Sequence, residues 1–340
     1  MKNVNPETAL SNWRERLQDI ADEAAGHLGK LPFVKGIVLG GSVARGDAWP
    51  ISDVDFVVVW QPAQFGDVEE WLRREENMFN AWLEKEGKPN HVDWDHTIFE
   101  CGLPSRLSKL SKPEFWKAVA DPTSLRLCDL LWGSYVMLDH KCGMTELCEK
   151  VAELRFHEKM LELRLQASSK RVKGLLKAVR TSIEAGNVTR AQTDFFCAAS
   201  EVVVAFYDLM AQQAFSPRRC LSRLGRIIVW SHWEPFFEKL LGILKLDENS
   251  TLRRLKSAPE GLRETVALEL NIRREIGEPV SELDVARDAL FYRTGELLTK
   301  KGASPLPWCG LPVDTKQLGN MVMELERIVD AALKGTIIRE

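Results

Sequence analysis

The 340-residue sequence predicts an α/β domain with a mixed sheet, followed by an all-α helical bundle. Three observations carry this. Up to about residue 140, short runs rich in β-branched residues alternate with amphipathic helical stretches, the pattern of strands covered by helices. From Gly143 onward the apolar residues recur only at helical spacing. Between the first two apolar runs lies a loop holding two glycines, a serine and two aspartates, a composition that marks a site more than a plain turn.

Residues 5–29 read as a helix. Asn5 suits its cap, Pro6 its first turn, and Trp13, Leu17, Ile20 and Ala24 recur at helical spacing. FVKGIVLG (33–40), DVDFVVVW (53–60), HVDWDHTIF (91–99) and SYVMLDH (134–140) read as four strands. Between the second and third, DVEEWLRREENMFNAWLEKEGK (67–88) is a charged amphipathic helix, with Trp71, Met78 and Trp82 as its expected inner stripe. Short helices fill the stretch before the fourth strand. The second half opens with one long helix over 144–186 and continues with TRAQTDFFCAASEVVVAFYDLMAQQAF (189–215). In that segment Phe195, Val202, Phe206, Leu209 and Met210 form an expected core stripe. Pro217 opens the next helix, and further helices are expected at about 233–245, 259–276, 281–301 and 314–334. The expected domains are therefore 1–142 and 143–340.

Apolar residues make up 45% of the chain and charged residues 28%, the proportions of a soluble globular protein. The net charge of −3 names no ligand, but its distribution is uneven. Residues 1–140 hold 15 Lys and Arg against 22 Asp and Glu, whereas residues 141–340 hold 31 against 27. Seven cysteines at irregular spacings, with no C-x-x-C pair, are expected to be reduced, buried thiols. The polar start MKNVNPETALSNW lacks the apolar core of a signal peptide, and no run approaches the ~20 apolar residues that span a bilayer. The expected setting is cytoplasmic, with no membrane partner.

In a strand, residues two apart share a face, so Asp53 and Asp55 converge on one point. Two carboxylates placed so repel unless a cation lies between them, and their oxygens suit a hard divalent ion such as Mg²⁺. Glycines let the backbone approach a ligand closely, so that its N–H groups and the Ser42 hydroxyl can meet phosphate oxygens. A phosphate binder and a metal binder about ten residues apart make a site for a metal-nucleotide.

The string G-G-S-x-A-R-G-(x)₅-S-D-x-D, from Gly40 to Asp55, runs into an apolar strand and resembles the signature of the nucleotidyltransferase superfamily, with its DNA polymerase β-like fold. The resemblance covers about residues 30–140. It implies transfer of a nucleoside monophosphate from a nucleoside triphosphate, ATP being the expected donor, with release of pyrophosphate and two Mg²⁺ ions. On this resemblance Asp53 and Asp55 hold metal, and Gly41, Ser42, Arg45 and Ser52 bind nucleotide. It also implies a third carboxylate on a neighbouring strand, for which HVDWDHTIFE offers Asp93 and Asp95, again on one face. Aminoglycoside adenylyltransferases, similar in layout, carry an acidic residue before a Val-Thr-Ile-Val-type run. Asp95-His96-Thr97-Ile98-Phe99 matches that run better, so Asp95 is the expected third ligand and Asp93 the alternative. The same stretch suggests zinc, but His96 should face away from both aspartates.

Nucleotidyltransferases of small-molecule type commonly carry a C-terminal helical bundle that closes the substrate cleft. Residues 143–340 are accordingly expected to bind the acceptor, with Glu201, Tyr207 and Gln212 as candidates to face it and a solvated or core position as their alternative. The expected acceptor is a small-molecule hydroxyl, aminoglycoside-like, although the basic balance of this half sits poorly with a polycation. A tRNA or protein hydroxyl stays open, and the basic stretch SKRVKGLLKAVR (169–180) offers a face for RNA phosphates. A non-catalytic nucleotide-binding partner that keeps the fold is the remaining alternative; the intact Ser42, Asp53 and Asp55 argue against it.

Overall fold

The two valine-rich runs that flank the glycine loop form β1 (Val34–Leu39) and β2 (Val54–Trp60). The computed structural model describes residues 10–61, 67–88, 90–94, 98–212, 218–300 and 307–334. The chain divides into two compact units, residues 1–160 and 161–340.

In the first unit, α1 (Trp13–Leu28) buries Leu17, Ile20, Ala24 and Leu28 on one face, as its spacing predicts. β1 and β2 pair antiparallel, with Leu39 opposite Phe56. After the turn α2 (Gly41–Ala44) and β2 comes α3 (Val68–Lys85), a crossover helix, so the strands that follow it lie parallel to β2. The expected third strand is two short ones, β3 (Val92–Asp93) and β4 (Ile98–Glu100), both paired to β2. Between them Trp94 is fully buried, and its indole N–H donates to the Leu72 carbonyl at 2.9 Å. Asp95, His96 and Thr97 lie outside the described residues. Helices α4 (Gly102–Ser108), α5 (Lys112–Val119) and α6 (Pro122–Leu130) lead to β5 (Tyr135–Asp139), antiparallel to β1. The five-stranded sheet is therefore mixed, in the order β3-β2-β1-β5 with β4 also on β2.

The inner stripe of α3 differs from expectation. Val68, Leu72, Phe79 and Leu83 face the core, whereas Trp71 and Met78 are 49% and 56% exposed. The helix is turned by one residue, so that the aliphatic and aromatic row at 68, 72, 79 and 83 is buried instead. Trp71 instead meets Phe33 edge-on, and Trp82 packs at the core margin.

The long helix expected over 144–186 is interrupted. α7 (Met144–Leu154) buries Met144, Leu147, Val151 and Leu154 and packs on α4 and β5, so it belongs to the first unit. α8 (Glu158–Glu184) follows after Arg155-Phe156-His157, where the His157 ring nitrogen accepts the Lys159 N–H at 3.2 Å and serves as the new helix's cap. No glycine or proline announces that break in the sequence.

The second unit is helical among the described residues: α8, α9 (Val188–Leu209), α10 (Cys220–Ile228), α11 (Glu234–Ile243), α12 (Glu248–Ser257), α13 (Glu260–Glu275), α14 (Glu282–Thr299) and α15 (Thr315–Lys334). On α9, Phe195, Val202 and Phe206 are buried in its core, with Leu209 and Met210 packed at its edge. Asp288 on α14 is fully buried and accepts the N–H groups of Leu221 and Ser222, capping α10 from another helix. Arg273 bridges Asp288 at 2.9 Å and Glu278 at 3.1 Å. Among the described residues no helix is long and apolar enough to cross a membrane.

Candidate active site

β1 delivers the chain to Gly40, whose N–H donates to the Asp55 carbonyl at 2.9 Å. Gly41 then takes φ +62°, a conformation that side chains rarely adopt. A Cβ there would stand 1.8 Å from Asp55 Oδ2 and 2.6 Å from its Cγ. Only glycine fits, and the Asp55 carboxylate lies directly on the backbone of the loop. α2 turns away from this contact with Ser42 buried at its start, and the turn closes as the Asp47 N–H donates to the Ser42 carbonyl at 3.0 Å.

The approach to Asp53 is built with equal care. The Trp49 N–H donates to the Ser52 hydroxyl and the Ser52 N–H to the Trp49 carbonyl, each at 2.9 Å. Ser52 is thus buried as the clasp of a tight turn. Asn90, itself buried, donates to the carbonyls of Pro50 and Ser52 at 3.1 and 3.0 Å, and Arg16 holds the Asn90 side-chain oxygen and Pro50 carbonyl. Burial pulls the Arg16 guanidinium below its ordinary value.

Asp53 is exposed and Asp55 half-buried, on the face of β2 that the two-residue spacing dictates. The parallel register sets Asp93 directly beside Asp55. Register partners in parallel strands point the same way, so Asp53, Asp55 and Asp93 share one face. Asp95, the ligand favoured by the resemblance, lies outside the described residues.

Arg45 is half-buried. Its Nε lies 3.6 Å from Asp47, and its stem crosses Gly133, where a Cβ would meet Arg45 Cγ at 2.7 Å. Among the described residues no group of three or more His, Cys, Asp and Glu side chains is arranged to hold a metal ion. Asp53 and Asp55 bring carboxylate oxygens to the loop, and the Asp55 carboxylate occupies the place that a side chain at residue 41 would take. That chemistry fits a hard divalent cation shared with phosphate oxygens, and not zinc.

Residues 22–98 match the family model of the nucleotidyltransferase domain. The first unit carries a nucleotidyltransferase domain. The matched stretch contains the glycine loop, Asp53, Asp55 and both later aspartates, and the mixed sheet with helices, followed by a helical remainder, is the architecture the resemblance implies. No curated protein and no solved structure matches the chain.

Beside the motif of this nucleotidyltransferase domain, sequence reasoning missed Arg16, Asn90 and Gly133. Asn90 stands before a strand like any turn residue, and only its two carbonyl contacts mark it. In the second unit, Tyr207 is fully buried and its hydroxyl donates to the Cys220 carbonyl at 2.6 Å, a core role. Glu201 pairs with Arg171 at 2.8 Å, and Gln212 is exposed past the end of α9. Of the five basic residues in 169–180, three pair with carboxylates at the surface: Arg171 with Glu201, Lys173 with Asp330 and Arg180 with Glu326.

Proposed function

We propose that this protein transfers a nucleoside monophosphate from a nucleoside triphosphate, ATP in the first instance, to a hydroxyl of a small molecule, releasing pyrophosphate. The observation that carries this reading is the closure of the glycine loop onto the Asp55 carboxylate, with 1.8 Å between Oδ2 and the place a Gly41 Cβ would take. That closure sets phosphate-binding backbone against metal-binding oxygen.

In this reading Asp53 and Asp55 would hold Mg²⁺ together with a third carboxylate, Asp95 or the alternative Asp93, which the register sets beside Asp55. Bound there, such ions neutralise triphosphate charge and lower the pKa of the acceptor hydroxyl. The chain's own residues position the reactants. Gly41 and Ser42 seat the phosphates, and Arg45 offsets the negative charge that grows on the pyrophosphate as it leaves. Asn90 and the Ser52 clasp fix the mouth of β2, so that Asp53 is held without rearrangement. The acceptor oxygen bonds the α-phosphorus as the bond to the bridging oxygen breaks. The pairing of three of the five basic residues along 169–180 with carboxylates lowers the charge offered to an RNA backbone and favours a small acceptor.

The test is pyrophosphate release with each nucleoside triphosphate, alone and with a panel of hydroxyl compounds, followed by transfer of an α-phosphate label. Label should appear on an acceptor, and Asp53→Asn should slow it by roughly 10²–10³-fold without lowering the thermal midpoint. Activity indifferent to Asp53→Asn would remove the reading. Asp93→Ala and Asp95→Ala, compared side by side, assign the third carboxylate: the greater loss belongs to the metal ligand.

A further inference from the structure

The strand that brings Asp93 beside Asp55 is two residues long and lies at the edge of the sheet. Its approach to β2 opens with the Val54 N–H donating to the His91 carbonyl at 2.8 Å. Two residues are fewer than a strand usually needs to hold its place by pairing alone.

Helix α3 supplies a second hold. The Asn80 side-chain amide donates to the Val92 carbonyl, and its oxygen accepts the Val92 N–H, each at 2.8 Å. One residue of a strand turns both backbone groups to the same side, and an asparagine amide carries a donor and an acceptor to match them. Asn80 therefore stands where a further strand would pair. Earlier on the same helix the Leu72 carbonyl accepts the Trp94 indole N–H at 2.9 Å, and the Trp94 ring lies 5.8 Å from Phe79. Val92 and Trp94 are fully buried, so alternation turns Asp93, between them, to the opposite face. Asparagine is a poor helix former, and Asn80 sits half-buried in the interior of α3. Its two bonds to Val92 are what that position gains.

We propose that Asn80 is a positioning residue for the third carboxylate. By clipping β3 to α3 it sets Asp93, and the chain that leads on to Asp95, against the mouth of β2. The assignment rests on the reading of the site as a nucleotidyltransferase centre and adds the group that fixes its third ligand. Asn80 acts through the backbone of Val92. A carboxylate that is already fixed loses little freedom when an ion arrives, so its support is read in metal affinity.

The test is calorimetry of Mn²⁺, in place of Mg²⁺, titrated into the full chain with the non-hydrolysable triphosphate α,β-methylene-ATP. The variants are Asn80→Ala, Asp93→Ala, Asp95→Ala and the two doubles that combine Asn80→Ala with either aspartate change. Val68→Ala, at the other end of α3 and also buried, is the control for lost stability. Asn80→Ala should weaken Mn²⁺ by about tenfold, as loss of a supporting partner does. Val68→Ala should lower the thermal midpoint and leave Mn²⁺ affinity unchanged. In the double variant that lacks the third ligand, the effect of Asn80→Ala should vanish, because nothing is left to position. If alanine lowers the midpoint further than Val68→Ala does, Asn80→Gln replaces it. Its amide, on a longer stem, cannot meet both groups of Val92 in the same way, and the same direction is expected. Unchanged Mn²⁺ affinity, or a loss that persists in both doubles, overturns the assignment while the wild type still binds Mn²⁺. A wild type that binds no Mn²⁺ beyond that held by the free triphosphate overturns this assignment and the proposed function together.

Discussion

Gly41 and Gly46 stand five residues apart with nearly the same backbone, φ +62° and +70°, yet their surroundings differ. At Gly41 a methyl group would collide with the Asp55 carboxylate, whereas at Gly46 it would meet nothing within 4 Å. Alanine at either position costs about 1–2 kcal/mol of left-handed backbone strain. Only at 41 must a carboxylate also move. Gly41→Ala should therefore lose at least a hundredfold in turnover, the scale of a lost transition-state contact. Gly46→Ala should lose stability with turnover largely kept. Melting curves and steady-state rates on the two variants separate strain from site, and equal losses of activity would show that Asp55 does not depend on residue 41. Asn90 is a second such position. It is buried with two carbonyls and an arginine on its side chain, so Asn90→Ala should cost roughly 1–3 kcal/mol and loosen the turn before Asp53.

Two carboxylates in the helical unit are shifted in opposite directions. On α13, burial pushes Glu269 up to about 7, against the opposing pull of Arg218. Just beyond that helix, burial also acts on Glu278, but Arg273, Arg219 and Arg223 outweigh it and bring it down to about 2. The consequences for stability run opposite ways. Glu269 is at ease when protonated. Its favourable contribution is complete below the unfolded value of about 4.3 and is lost as the pH rises towards 7. Glu278 is at ease when ionised, and its contribution is present at neutral pH and lost as the pH falls from about 4.3 towards 2. Thermal melts should therefore show Glu269→Gln gaining on the wild type between pH 5 and pH 8. Glu278→Gln should be costly at pH 7, where it leaves four arginines without their shared carboxylate, and progressively less costly as the pH falls towards 2. A Glu269→Gln difference that is flat with pH would mean the group ionises as freely folded as unfolded.

Each compact unit has its own apolar core, one around the sheet and α1 and α3, the other around α9. The position of α7 decides where the chain can be cut. Its buried residues Met144, Leu147, Val151 and Leu154 each lose about 1.5–3 kcal/mol of burial if the helix is removed. A fragment of residues 1–160 should melt cooperatively, whereas residues 1–142 should lose the transition or aggregate. Circular dichroism melts of the two fragments test this, and matching cooperative curves would show that α7 adds nothing to the first unit.

Much of the site was legible in the order of residues. Gly40-Gly41-Ser42 and Asp53-Val54-Asp55 next to apolar runs dictate a loop and a strand mouth by local rules alone, because strand alternation places carboxylates two apart on one face. The helix and strand sequence of the first unit followed from periodicity for the same reason. What the sequence could not set was which neighbour each strand takes. Asp93 and Asp95 are equivalent by alternation, and only the parallel pairing of β3 with β2 puts Asp93 beside Asp55. Likewise the α3 stripe shifts by one residue because burial, a property of the surrounding core, chooses between two apolar rows that periodicity allows. Gly133 and Arg45 lie far apart in the sequence, and no spacing rule links them. The contact by which the glycine at 133 admits the Arg45 stem is one between loops, and contacts between loops are decided by tertiary packing.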